Sequence, residues 1–217
     1  MSNVSRKPLD PGIGRLLVAS LHEAIADLMP MRLDFYEHWL RPEELHQGTI
    51  GRAPLSAVLG FLRTEPAYHR LVEYAGGCAA DWALADLGKT TTRLARALPL
   101  PIAVRLALMS AGRLVRHTHR ASRTRVGLRR RAGTVEIGES VFCDVREQAS
   151  RPLCGYYAAA VARTLRRHGI DADVRTDECR GAGGARCALA LEIRGRAAGE
   201  APALEALSRA EDVRPAL

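Results

Sequence analysis

The chain is short of several things, and each shortage narrows what it can be. Aromatic residues make up only 5% of its 217 positions. No apolar run approaches the ~20 residues of a bilayer-spanning helix, which argues against a transmembrane segment. Met1 to Pro11 lacks the basic-then-apolar order of a secretory signal, so a cytoplasmic protein is expected. In that reducing setting, five cysteines are read as metal ligands, reactive thiols or core residues before disulfides. Nucleotide-binding patterns are also missing. Gly88-Lys89-Thr90 ends like a phosphate loop, but Ala83 occupies the upstream glycine position and a helix precedes it. Gly181-Ala182-Gly183 meets Arg186 where a third glycine belongs, and a strand follows. No serine sits in a nucleophile-elbow context. His117 and His119, two apart on a helix, point about 200° from each other and cannot share a metal. A self-sufficient nicotinamide reductase and a serine hydrolase are thereby disfavoured.

Acidic residues are missing locally. From Leu87 through Val135 there is no Asp or Glu, while 12 Lys and Arg fall in the same span. The net charge of +8 is therefore one basic patch on a chain that is otherwise net acidic. Such a patch suits an anionic partner, whether phosphate, acidic lipid, an acidic protein face or a ligand carboxylate; a solvated arginine-rich helix face is the plain alternative.

Periodicity predicts an α+β protein: N-terminal helices, then an antiparallel sheet with packed helices. Leu17, Leu21, Ala24, Ile25 and Leu28 recur at helical spacing over Gly14 to Met29, and Pro30 stops the helix. Leu33 to Leu40 is a shorter helix with Phe35, Tyr36 and Trp39 on one face. Pro54 and Pro66 open helices near Leu55 to Leu62 and Ala67 to Leu87. Leu100 to Arg120 carries a basic stripe of Arg105, Arg113, Arg116 and Arg120, with Met109 among them, beside an apolar face of Ile102, Leu106 and Leu114. Arg125 to Arg130 and Thr134 to Glu139 read as a hairpin turning near Gly133. Pro152 to His168 reads as a helix closed by Gly169, and Ile170 to Asp177 and Cys187 to Arg194 as strands. The resulting division is a helical region over 1–120, an α+β core over 121–196 and a tail over 197–217.

Three cysteines carry the chemistry. Cys179 and Cys187 enclose the glycine-rich loop Arg180 to Arg186, and Cys154 comes from the preceding helix. Two thiolates flanking a tight loop, with a third thiol from a helix, make a knuckle for a tetrahedral zinc ion. A fourth ligand is needed, and Glu178, Asp177 and Cys143 are the candidates; unlinked core thiols are the plain alternative. Cys78, beside Gly76 and Gly77, reads as packing.

The motifs Ser-Val-Phe-Cys143, Arg-Pro-Leu-Cys154-Gly-Tyr-Tyr and Glu178-Cys-Arg-Gly-Ala-Gly-Gly-Ala-Arg-Cys187-Ala-Leu resemble the V4R (4-vinyl reductase) domain family. These domains occur in bacteriochlorophyll biosynthesis and as sensors in activators of aromatic catabolism. The resemblance is strong over about a quarter of the chain. It extends more weakly through Leu98-Pro-Leu-Pro-Ile-Ala-Val-Arg-Leu and Arg116-His117-Thr-His119 to the bacteriochlorophyll-pathway members. It implies a mixed α+β ligand-binding fold with an apolar pocket and a zinc held by cysteines and an acidic residue. Cys154, Cys179 and Cys187 match the family's cysteines. Thr176 stands where related sensors have the acid, so Glu178 or Asp177 is expected to replace it.

The expectation is a small-molecule-binding protein with a structural zinc. Its ligand would be hydrophobic, a tetrapyrrole intermediate of bacteriochlorophyll synthesis or an aromatic, with Arg113, Arg116 and Arg120 pairing its carboxylates and Tyr157 adding a contact. A homodimer is compatible with this and nucleic acid is not expected. Two other readings stand beside it. One is an oxidoreductase component acting on a vinyl group of a chlorophyll precursor with electrons from a partner. The other is a regulatory protein whose basic patch meets nucleic acid or an acidic protein.

Overall fold

Apolar residues three and four apart fold the first half of the chain into helices, as the computed structural model shows; it describes residues 12–40, 49–50, 52–85, 96–145 and 147–197. Strand β1 (Ile13–Gly14) leads into α1 (Arg15–Leu28), which buries Leu17, Leu21, Ala24 and Ile25. The helix stops at Met29 because Pro30 has no N–H to continue it and opens a 3-10 turn instead. Helix α2 (Leu33–Leu40) follows, then β2 (Thr49–Ile50), which pairs antiparallel with β1. Phe35 and Tyr36 do not share a face, since Tyr36 is buried and Phe35 is exposed. The side chain of Trp39, the Gly88-Lys89-Thr90 turn and the tail from residue 198 lie outside the described residues.

Helices α3 (Arg52–Leu62) and α4 (Tyr68–Ala85) begin within two residues of their prolines, and α5 (Leu100–Thr118) opens with Pro101 in its first turn. The inward face of α5 is Ala103, Val104, Ala107, Leu108, Ala111, Leu114 and Val115. Small residues let this helix lie close to its neighbours. Ile102 and Leu106, expected on the apolar side with Leu114, instead point outward among the arginines.

The second half supplies β3 (Arg123–Arg129), β4 (Ala132–Gly138), α6 (Gly155–Arg167), β5 (Ile170–Glu178) and β6 (Cys187–Arg196). The strands form one antiparallel sheet in the order β3-β4-β6-β5, so β3 and β5 are its edges. The hairpin turn is Arg130-Arg131, with Arg130 at φ 51°, and Gly133 lies inside β4 opposite Leu128. A two-residue hairpin needs the left-handed conformation, which an arginine here adopts in place of the expected glycine. Gly169, at φ 73°, does end α6 as expected.

Val135 and Ile137 of β4 share the sheet's inner face with Cys187, Leu189, Leu191 and Ile193 of β6. One continuous apolar core runs from Ile13 through these strands. Helices α4 and α6 cross in close contact at Gly76, where a side-chain β-carbon would stand 2.1 Å from the Tyr156 carbonyl oxygen. The same pair is tied by Asp81, whose carboxylate accepts a fork of hydrogen bonds from Arg163 at 2.9–3.1 Å and one from Arg167 at 2.7 Å. Burial pushes the Asp81 carboxyl up, but these guanidinium hydrogen bonds outweigh it and hold it below its ordinary value.

Candidate metal centre and ligand cleft

Four sulfurs meet where α6, the glycine loop and the turn after β4 converge. Cys143 Sγ lies 3.3 Å from Cys154, 3.4 Å from Cys179 and 3.4 Å from Cys187, and Cys154 lies 3.7 Å from Cys179. All four ligand atoms are within 4.8 Å of one another. None is in a disulfide, and the spacings are far beyond the ~2.05 Å of an S–S bond. An ion with metal–sulfur bonds of ~2.3 Å at the centre of a regular tetrahedron holds its sulfurs ~3.8 Å apart. The four separations of 3.3–3.7 Å lie close to that edge length, and the donor set suits a soft divalent cation.

Each sulfur has a local reason for its place. Cys154 caps the N-terminus of α6, whose first turn carries Tyr156 and Tyr157 into the core. Cys179 directly follows β5, and its carbonyl accepts N–H bonds from Ala182 at 3.0 Å and Gly184 at 2.9 Å, folding the loop back. That reversal puts Gly183 at φ 91°, a left-handed conformation that favours glycine. Cys187 opens β6, opposite Ile137. The Leu153 N–H donates to Cys179 Sγ at 3.3 Å.

Cys143 arrives by a longer route. Glu139 takes φ 52° at the end of β4, Ser140 follows, and a 3-10 turn over Val141–Cys143 delivers the sulfur. Two groups hold this turn from its start: His119 Nδ1–H and Ser122 Oγ–H both donate to the Glu139 carbonyl, at 3.0 and 2.8 Å. Two more hold it from the ends of α3: Arg63, just beyond the helix, donates to the Phe142 carbonyl at 2.9 Å, and Arg52 at its start pairs with Asp144 at 3.0 Å. Phe142 itself is fully buried, stacked on Tyr156 with ring centroids 4.9 Å apart. The N-terminal helices thus clamp the turn that carries Cys143.

Close packing of the thiols divides their acidities. Hydrogen bonds from Cys143, Cys154 and Cys187 hold the Cys179 thiol below its ordinary value. Cys187 is drawn down to about 6, first by its hydrogen bond with Cys143. Cys154 is pushed up, first by its hydrogen bond with Cys143, then by those with Cys179 and Cys187 and by burial.

Of the expected metal ligands, Cys154, Cys179 and Cys187 converge and Glu178 does not join them. Its carboxylate accepts from the Ala185 N–H at 2.8 Å and from Arg186 Nε at 2.9 Å, and the Arg186 hydrogen bond holds it below its ordinary value. Asp177 is exposed on β5, and Thr176 faces Leu189 on β6. The fourth sulfur is that of Cys143, the remaining candidate.

The second feature is a cleft of about 680 Å³ between α5 and the inner face of β3. Thr124, Val126 and Leu128 of β3 form its floor, continuing the inner face of the sheet past the point where the helices cover it. Leu108 and Met109 line its helical wall together with Arg105, Arg113 and Arg116. Of the three arginines expected to meet a ligand, Arg113 and Arg116 line this cleft. Arg120 lies in the turn beyond α5 and is not among the lining residues. Tyr157 is buried in the core edge-on to Phe142 and Tyr156, away from the cleft; burial pushes its phenol well above the ordinary value. The β3 floor was not singled out from the sequence, although the alternation of Thr124, Val126 and Leu128 with Arg123, Arg125 and Arg129 carries its signal.

No protein-family model matches the chain, and no curated protein matches it. Solved structures do. A Cs H-NOX mutant carrying 4-cyano-L-phenylalanine gives a TM-score of 0.51 at 10% identity, covering 87% of this chain and 100% of that one. An H-NOX protein from S. oneidensis in the Fe(II) ligation state gives 0.49 at 11% identity, covering 85% and 97%. The phenol-responsive sensory domain of the transcription activator PoxR, with phenol, gives 0.45 at 17% identity, covering 66% and 75%. At such identities the likeness is one of fold, and it is the first of the three that carries it. No helix among the described residues is long and apolar enough to cross a membrane.

Proposed function

We propose that the chain is a V4R-type binding protein for a hydrophobic, carboxylate-bearing small molecule, with a structural zinc held by Cys143, Cys154, Cys179 and Cys187. The family assignment rests on the cysteine motifs of the sequence. The observation that carries the binding reading is the cleft beside α5, where arginines border an apolar floor. Its volume of about 680 Å³ falls in the usual range for small-ligand sites. Apolar area there would take the body of the ligand, and Arg113 and Arg116 would pair its carboxylates bidentately. A tetrapyrrole intermediate of bacteriochlorophyll synthesis has this combination, and it is the ligand we favour.

The zinc reading is supported by the size of the sulfur cluster, by the raised acidities of Cys179 and Cys187, and by the N–H that Leu153 donates to the Cys179 sulfur. A zinc ion with four thiolates has its coordination filled, so what it supplies is a cross-link between α6, the β5–β6 loop and the turn from β4. The residues themselves do the rest: α3 holds the turn, and the sheet presents the cleft floor. A cytoplasmic, reducing setting would keep the four thiols available to metal.

Adding a chlorophyllide precursor to the purified protein is expected to shift the pigment's absorption spectrum saturably. No shift, together with no affinity for smaller aromatics, overturns the reading. Elemental analysis tests the metal separately. Stoichiometric zinc in the wild type and its loss in Cys187→Ser is the expected result, and equal zinc in both excludes the centre.

A further inference from the structure

Helix α5 has a second apolar face, and it points to solvent. Ile102, Leu106 and Met109 are 47%, 39% and 58% exposed. At 100° per residue they fall with Arg105, Arg113 and Arg116 inside about 100° of arc, forming one stripe along the helix. Val126, 46% exposed, looks out from β3 across the cleft. The stripe belongs to the stretch from Leu87 to Val135 that holds no acidic residue. A face turned only to water gains nothing from isoleucine, leucine and methionine at these positions. Apolar side chains interleaved with arginines suit a boundary where acyl chains and phosphates lie within a few ångströms of each other.

We propose that this face docks on an anionic membrane surface. Ile102, Leu106 and Met109 enter the headgroup region, and Arg105, Arg113 and Arg116 pair with lipid phosphates. Charge complementarity favours lipid over the other occupants. A nucleic acid would leave the apolar side chains without partners, and no aromatic side chain lies in the stripe to stack on bases. A second copy of the chain would press one acid-free patch against another. The proposal goes beyond the cleft reading: Arg105, Met109, Arg113 and Arg116 border the cleft as well, and Ile102 and Leu106, which do not line it, separate the two readings.

The test is co-sedimentation of the full chain with vesicles of phosphatidylcholine alone and of phosphatidylcholine mixed with phosphatidylglycerol. Partition onto the anionic vesicles is expected to be roughly tenfold or more stronger and to weaken with salt. The double variant Ile102→Glu, Leu106→Glu is expected to lose about tenfold in that partition, with its circular-dichroism melt and its pigment titration unchanged. Arg105→Gln, at an exposed position, is expected to weaken it less. Equal partition onto both vesicle types, or wild-type partition by the double variant, overturns the proposal. So does retention on DNA, or self-association, without vesicle binding. A failed pigment titration beside intact vesicle binding would remove the cleft reading and leave this one standing.

Discussion

The two ends of the sheet's inner face are built for opposite purposes. At the β6 and β4 end, Cys187, Ile137 and Val135 are covered, and the thiols sit in a shell of Phe142, Leu153 and Tyr157 that excludes water. At the β3 end the same face runs out from under the helices, and Val126 is left 46% exposed beside the arginines of α5. One sheet thus provides a closed, cross-linkable region and an open, charged one. The closed region is where substitutions should cost stability, and the open one is where they should cost binding.

The sharpest break in that comparison is Cys154→Ser. Under the zinc reading, loss of this fully buried thiol is expected to abolish stoichiometric zinc and lower the melting temperature by roughly 10 °C or more. If the closed end were merely packed thiols, a strong chelator would leave the wild-type melt unmoved. Phe142→Ala follows, at about 3–5 kcal/mol in urea unfolding, because it removes a fully buried ring stacked on Tyr156. The open end answers differently. Arg113→Gln with Arg116→Gln is expected to weaken pigment binding by about 10–100-fold, while unfolding moves by no more than ~0.5 kcal/mol. A loss of stability there would mean that the cleft arginines serve the fold.

Asp81 gives the smallest effect. Its folded carboxyl lies below the ordinary value of 3.8, so its contribution is present at neutral pH and is lost as the pH falls below 3.8 toward the folded value. The group is 28% exposed, which limits this to about 1 kcal/mol after screening. Asp81→Asn is therefore expected to be less stable than wild type at pH 7, with the gap closing in acid. A constant gap in chemical unfolding across that range would count against the ionic tie between α4 and α6.

Helix positions were legible because apolar periodicity records which residues a helix buries. Direction was harder to read on α5. Its core face is built from Ala103, Ala107 and Ala111, and these small residues give a weaker apolar signal than the outward Ile102 and Leu106. The hairpin was found but its turn was misplaced, because Arg130 takes the left-handed conformation for which glycine is the usual marker. At the centre, Cys154, Cys179 and Cys187 could be grouped from their loop and helix context. Cys143 stood only as one of three candidates, since what brings it in is tertiary: Arg52 and Arg63 at the two ends of α3, and His119 beyond α5. Nothing near Cys143 in sequence records contacts made by residues 20 to 90 positions away.

The edge formed by β3 has a consequence for how the molecule behaves in a crowded solution. Its free backbone groups border alternate arginines, Arg123, Arg125 and Arg129, and the turn beyond adds Arg130 and Arg131. Two such edges repel each other before their amides can pair, so the strand carries its own barrier against growth into fibrils. The opposite edge, β5, carries Asp171, Asp173 and Asp177 with Arg175 and is guarded in the same way by charge of the other sign. Pairing of two β3 edges, or of two β5 edges, should therefore become easier as salt screens each field, while the attraction between a β3 edge and a β5 edge weakens.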